Sequence, residues 1–277
     1  MRKLILGRFE LPIASPLVMG VVNVTPDSFS DGGKFLSASA AIDHAQQLIE
    51  EGADILDIGG ESSRPGAEPV GIDEELRRVL PIIEAMRGKS IPISIDTMKP
   101  EVMQAAIQAG ASMVNDVNAL RADAAMEICA HSNVGVCLLH MQGAPRTMQL
   151  EPHYTDVVAE VKGFLLDRAQ ACERAGISKQ RIVIDPGFGF GKNREHNLTL
   201  LRRLKDFRET GYTLLAGLSR KSVLGKITGQ ETLSRVPASI AAALLAVQNG
   251  AHIVRVHDVR ATKDALAILH AVNQTSN

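Results

Sequence analysis

The chain has 277 residues, 45% hydrophobic and 22% charged, which suits one large globular unit with a real core and excludes a disordered or fibrous chain. A formal net charge of -1 and a pI near 6.7, with short basic groups interspersed among acids, leave no basic face for nucleic acid. No apolar run approaches the ~20 residues of a membrane span, and Arg8 and Glu10 interrupt the stretch a signal peptide would need, so a cytoplasmic protein is expected.

Cys129, Cys137 and Cys172 are odd in number and lack CxxC spacing, which points to buried filling rather than to disulfides or zinc. In chain order, Lys3 to Ala14 suits a hairpin, and a first strand, Leu17 to Val22, ends at Asn23. The loop NVTPDSFSDGGKF follows, then a helix from Ala38 to Glu51 with Ala41, Ala45, Leu48 and Ile49 on one stripe and Gly52 at its C-cap. Strand two, Asp54 to Ile58, empties into a second long loop, GGESSRPGAEPVG. Both loops are rich in Gly, Pro and Ser and are expected to have few contacts of their own until a ligand orders them.

The alternation then continues. Asp73 should cap a helix to about Met86. Strand three, Ile91 to Asp96, precedes a helix from Pro100 to Ala109, and strand four, Ser112 to Val117, precedes one from Ala122 to Ala130. Strand five, Val134 to Leu139, leads through HMQGAPRTMQLEPHY to a long helix ending near Gly176. Strand six, within RIVIDPGFGFGK, delivers Asp185 to a glycine-rich turn, with Val183 on the same face because the side-chain period is two. A helix from Asn197 to Glu209, strand seven from Thr213 to Leu218, a helix from Val236 to Gln248, strand eight from His252 to His257 and a helix from Thr262 to Val272 complete the chain.

Eight apolar strands alternating with eight helices, and no linker composition between them, predict a single (β/α)8 TIM barrel over residues 1–277, an α/β fold with a short N-terminal hairpin. An open doubly wound sheet would ordinarily carry G-x-G-x-x-G after its first strand, and none is present. In a barrel the site lies at the C-terminal mouth, so the polar residues ending each strand are its candidates: Asn23, Asp57, Asp96, Asn115, Asp185, Lys221, Arg255 and His257. Asp185 alone could equally be a helix cap, and a lone His at a strand end is usually structural. Arg255 and His257, however, share one inward face with Ile253, which favours an anion site. With Arg64 they form a cationic side opposite three polar acceptors, suiting a ligand with a hydrogen-bonding heterocycle at one end and phosphates at the other.

Eight stretches in order carry a resemblance: GVVNVTPDSFSDGG, DIGGESSRPGA, SIDTMKPEV, VNDV, LLHMQG, DPGFGFGK, GLSRKS and RVHDV. Together they resemble the bacterial dihydropteroate synthases over essentially the whole chain. The resemblance implies condensation of 6-hydroxymethyl-7,8-dihydropterin diphosphate with p-aminobenzoate in folate biosynthesis. It implies that Asp96, Asn115, Asp185 and Lys221 hold the pterin, with Phe190 beside the ring. Arg255 and His257 would hold the diphosphate, with Mg2+ on Asn23. Ser63, Arg64, Pro65 and the segment Thr25 to Phe29 would border the p-aminobenzoate site, with Ser222 on its carboxylate at a helix start. Asp27 is the candidate for stabilising positive charge at the reacting methylene, although a capping role in the TPDS turn competes. Catalytic roles thus fall to Asp27, Lys221, Arg255 and His257, and a homodimer is implied. One departure is Ser63, where the family usually has threonine, which keeps the hydroxyl but removes a methyl beside the aryl pocket.

Three rival readings fit less well. A pterin-dependent methyltransferase of the same barrel family would have no use for SRPG or for the paired Arg255 and His257. A Schiff-base aldolase would place its lysine within an apolar strand, whereas Lys221 follows Arg220 in a loop. A barrel that only binds would not need every position of the inferred site filled by a competent residue.

Overall fold

The computed structural model describes residues 2–24, 34–62, 66–144 and 147–274, with side chains in the second segment from residue 38 onward. Strands β1 (Lys3–Leu6) and β2 (Phe9–Pro12) form an antiparallel hairpin. The remaining strands are β3 (Leu17–Asn23), β4 (Ile55–Gly59), β5 (Ile93–Asp96), β6 (Met113–Asp116), β7 (Gly135–Leu139), β8 (Ile182–Asp185), β9 (Thr213–Ala216) and β10 (Ile253–Val256). They close into a barrel in chain order, each paired in parallel with the next and β10 with β3. This is a (β/α)8 TIM barrel with the expected hairpin.

Alternation along each strand sorts side chains between two cores. Leu17, Met19, Ile55, Met113, Cys137, Val183, Leu215 and Ile253 fill the interior together with Leu4 and Leu6 of the hairpin. The opposite faces, including Val254 and Val256 as expected, pack beneath the helices. The hairpin thereby closes the N-terminal end of the barrel. A Cβ on Gly135, at the start of β7, would collide with the Leu6 side chain, so a glycine there makes room for it. All three cysteines are buried and free, as their spacing suggested. Among the described residues no helix is long and apolar enough to cross a membrane.

Several boundaries differ from expectation for local reasons. The helix Ile72–Met86 is capped by Gly71, with Asp73 in its first turn rather than at its cap. Ala124 adopts a left-handed conformation (φ 65°), which delays the next helix to Ala125–Ala130. Asn193 accepts from the His196 N–H while the Asn193 N–H donates to the His196 ring. This reciprocal cap starts the helix early, at Arg194–Arg202, and a separate short helix follows at Lys205–Arg208. Beyond β9, the segment Ser222–Thr228 is an additional helix, so the alternation is not a bare eight and eight.

Candidate active site

Parallel register places the strand-end residues side by side. Asp96 pairs with Gly59 on one side and Asn115 on the other, while Asp185 stands beside Leu139. Asp57, Asp96, Asn115, Asp185 and Arg255 alternate with the interior core along their strands and so form a polar layer directly above it.

Arg255 sits within this layer. Its Nε donates to Asp57 Oδ2 at 2.6 Å and its Nη2 to Asp96 Oδ2 at 2.8 Å, while Asn115 Nδ2 donates to the same Asp57 oxygen at 3.1 Å. Burial opposes the guanidinium charge, but Asp57 and Asp96 outweigh it and raise the Arg255 pKa. Burial pushes Asp96 up to about 7, with Asp57 adding to the shift and Arg255 opposing it. One guanidinium shared by two carboxylates leaves an unbalanced negative charge, which raises proton affinity there. Two buried oxygens of this network, Asp57 Oδ1 and Asn115 Oδ1, have no partner among the described residues. Such atoms are costly unless a ligand donates to them.

Asp185 Oδ1 accepts the Gly187 N–H at 2.8 Å. Burial raises its pKa and Lys221 opposes the rise. Lys221 donates to the Phe188 carbonyl and lies 4.7 Å from the centre of the Phe190 ring. Burial lowers its pKa to about 8 despite Asp185. Its approach is set by Arg220, which holds a left-handed backbone (φ 57°) while its guanidinium grips Asp258 at 2.6 and 3.1 Å. The loops after β9 and β10 are thus tied together. His257 Nδ1 lies 2.9 Å from Ser219 Oγ, on the same pair of loops. Ser222 is exposed at the first turn of its helix, as expected.

These groups face a common space. A Cβ built on Gly217 would lie 3.8 Å from Arg255 Cβ and 3.9 Å from both Asp185 Oδ2 and Lys221 Nζ. Asn23 ends β3, with Gly59 as its register partner. Asp27, the rest of Thr25 to Phe29, and Ser63, Arg64 and Pro65 lie outside the described residues. The described ends of the second loop have more contacts than their composition suggested. Glu61 Oε1 accepts the Val70 N–H at 3.0 Å, and Glu61 Oε2 lies 2.5 Å from Lys99 Nζ. Sequence pattern alone does not reveal Gly217, Ser219 or the inward turn of Lys192 as parts of the mouth. All three lie in or next to quoted motifs, but a motif does not say where a side chain points.

A closed parallel barrel with buried hydrogen-bonding groups, an aromatic wall and cations at its C-terminal mouth defines a barrel enzyme for a small polar heterocycle carrying an anion. The family described as pterin binding enzyme matches residues 19–257. A dihydropteroate synthase of Neisseria meningitidis serogroup C is 51% identical over 271 residues, 96% of each chain. Among solved structures, Xanthomonas albilineans dihydropteroate synthase with 4-aminobenzoic acid superposes with a TM-score of 0.92 at 54% identity, covering 96% of both chains. The Burkholderia cenocepacia dihydropteroate synthase complexed with 7,8-dihydropteroate gives 0.90 at 51% identity, covering 98% of this chain and 96% of that one. The chain belongs to the pterin-binding enzymes, in their dihydropteroate synthase branch.

Proposed function

We infer that the protein is a transferase of folate biosynthesis. It condenses 6-hydroxymethyl-7,8-dihydropterin diphosphate with p-aminobenzoate, giving 7,8-dihydropteroate and diphosphate. The observation that carries this reading is the convergence of Asp185, Lys221 and Arg255 on the space above Gly217, beside Asn115 and Asp96. Asp185 as a carboxylate accepts from the amino-pyrimidinone edge of the ring. Asn115 Oδ1, without a partner among the described residues, offers a further acceptor. Lys221, 4.7 Å from the centre of the Phe190 ring, lies with Phe190 along one side of the pterin. A ring lacking those donors would leave buried acceptors unpaired, so the same groups select the substrate.

The reacting bond joins the exocyclic methylene to the diphosphate. As it lengthens, the electron pair leaves with the diphosphate and positive charge grows on the methylene in an SN1-like displacement. The arylamine nitrogen then bonds to that carbon and loses a proton. Arg255 has donors left beyond those spent on Asp57 and Asp96, and with His257 it stabilises the leaving group. Asp27 answers the charge on the methylene, and Ser63, Arg64, Pro65 and Ser222 receive the aryl substrate.

Among the described residues no three His, Cys, Asp or Glu side chains gather as a metal site. The hard amide oxygen of Asn23 nonetheless suits Mg2+, which commonly takes few protein ligands and completes its shell with water and phosphate oxygens. Held there, Mg2+ would neutralise charge on the diphosphate. We also propose a homodimer through barrel helices, supported by exposed Leu245, Ile268 and Val272 on Val236–Gln248 and Val259–Gln274, and a cytoplasmic location. The whole chain is read as one domain.

The test is an assay of purified protein with both substrates and Mg2+. Dihydropteroate and diphosphate should appear in equal amounts and only when p-aminobenzoate is present. Diphosphate release without an aryl product would overturn the transferase reading.

A further inference from the structure

Lys192 ends the motif DPGFGFGK, where its sequence position alone implies no role. The residue is 2% exposed. Its Nζ donates to the Phe190 carbonyl at 2.9 Å and the His140 carbonyl at 3.2 Å, and lies 3.0 Å from His140 Nδ1. Burial, reinforced by Lys192, lowers the His140 pKa to about 3, so the neutral ring can accept at Nδ1. Three acceptors around one nitrogen match the three donors of an ammonium. All three are uncharged, and a buried cation needs charge compensation. Burial pulls the Lys192 ammonium toward neutrality, and Asp185 is the group that pulls it back.

At formal charge, the carboxyl groups of Asp57, Asp96 and Asp185 are matched by Arg255, Lys221 and Lys192. Arg255 is shared between Asp57 and Asp96. Asp185 has Lys221 as its main counter-charge and a smaller one in Lys192, whose Nζ binds the carbonyl of His140, the residue whose N–H donates to the Asp185 carbonyl at 3.0 Å. We propose that Lys192 is a positioning residue of the ring site. It supplies, from behind the wall, the counter-charge that keeps Asp185 a carboxylate, and the same ammonium pins the Phe190 carbonyl so that the aromatic ring stays beside Lys221. This rests on the reading of Asp185 as the acceptor for the ring.

The groups facing Asp185 fix the sign of the effect. They are the Cys137 thiol of β7, which burial keeps protonated, the Gly187 N–H and Lys192 after β8, Lys221 after β9, and Arg255 of β10 with its partners Asp57 and Asp96. Behind Lys192 stand neutral His140 and the Tyr154 ring, 6.0 Å away, with Arg121 acting on His140. Without Lys192 the remaining cations hold Asp185 less firmly, its proton leaves at higher pH, and the acid limb of ring binding moves up.

The test is calorimetric titration of the full-length protein with 6-hydroxymethyl-7,8-dihydropterin from roughly pH 5 to 9, alongside thermal melts. For Lys192→Met and Lys192→Gln the acid-limb midpoint should rise by about one pH unit, with roughly tenfold weaker ring binding at neutral pH. The KM for p-aminobenzoate should stay within about twofold of wild type. Lys192→Arg keeps the charge and should retain the wild-type midpoint. A midpoint in Met or Gln equal to wild type, or one in Arg shifted as far as in Met, would overturn the proposal. Should no variant fold, the 13C carboxyl signal of wild-type Asp185, identified by its loss in Asp185→Asn, decides. A carboxylate throughout roughly pH 6 to 8 is expected, and a protonated acid at neutral pH overturns the proposal. Absence of ring binding by the folded wild-type protein would instead overturn the ring-site reading itself, and the proposal with it.

Discussion

Asp185 can accept but not donate while ionised, and the Gly187 N–H already occupies one of its oxygens at 2.8 Å. An asparagine there would keep that bond only by turning its amide N–H toward the donors of the ring. Hydrogen bonds to a charged acceptor contribute roughly 1.5 to 3 kcal/mol each. Asp185→Asn should therefore weaken binding of a dihydropterin without phosphates at least about a hundredfold in calorimetry. Unchanged affinity would remove Asp185 from the ring floor. Arg255 is a different case, because its removal strands Asp57 and Asp96 as buried, unpaired carboxylates. Its loss should disturb the ring end as well as the diphosphate end, so it cannot be assigned to one half of the ligand.

At the scale of elements, the loop after β8 is fixed by close backbone approach. Gly187 (φ 70°) would collide through a Cβ with the His140 carbonyl, a backbone atom that rotamers cannot move aside. A left-handed alanine costs about 1 to 2 kcal/mol, and overpacking adds about 1 to 3. Gly187→Ala should lose roughly 3 kcal/mol in denaturant unfolding together with ring affinity. Among the described residues a Cβ on Gly66 (φ 81°) would meet nothing within 4 Å, so Gly66→Ala should lose only the conformational part, about 1 kcal/mol. Equal losses at both positions would show that the collision is relieved. The strands and the inward face of Ile253 and Arg255 were legible in the sequence because period-two alternation follows from backbone geometry alone. The Gly71 cap, the left-handed Ala124 and the early start at Arg194 were not, since each depends on a backbone angle or a cap that propensity does not reveal. Lys192 escaped for a related reason. A lysine after a glycine-rich turn ordinarily faces water, and only the packing of His140 and Phe190 around it turns it inward.

Across the whole molecule, apolar packing and buried charge occupy opposite ends of the barrel. The hairpin and interior side chains close one end, while the polar layer at the other carries buried charge that costs stability. That cost is visible through pH. Burial raises the folded pKa of Asp96 from an ordinary 3.8 to about 7. Between those values the folded state binds more protons than the unfolded one, so stability falls as pH rises. The contribution of the protonated acid is fully present below 3.8 and is lost as pH passes 7. Asp116, raised to about 6 mainly by burial, slopes the same way, so the Asp96 part must be isolated by difference. Asp96→Asn keeps an acceptor for Arg255 and removes the titration. The unfolding free energy of wild type minus that of the variant should decline between about pH 4 and 7, by at most about 1.4 kcal/mol per unit, and level off above. Denaturant titrations of the ligand-free protein across that range would measure it. A difference that stays flat above about pH 5 would mean that Arg255 holds Asp96 ionised throughout, and that the mouth carries its charge without loss of stability.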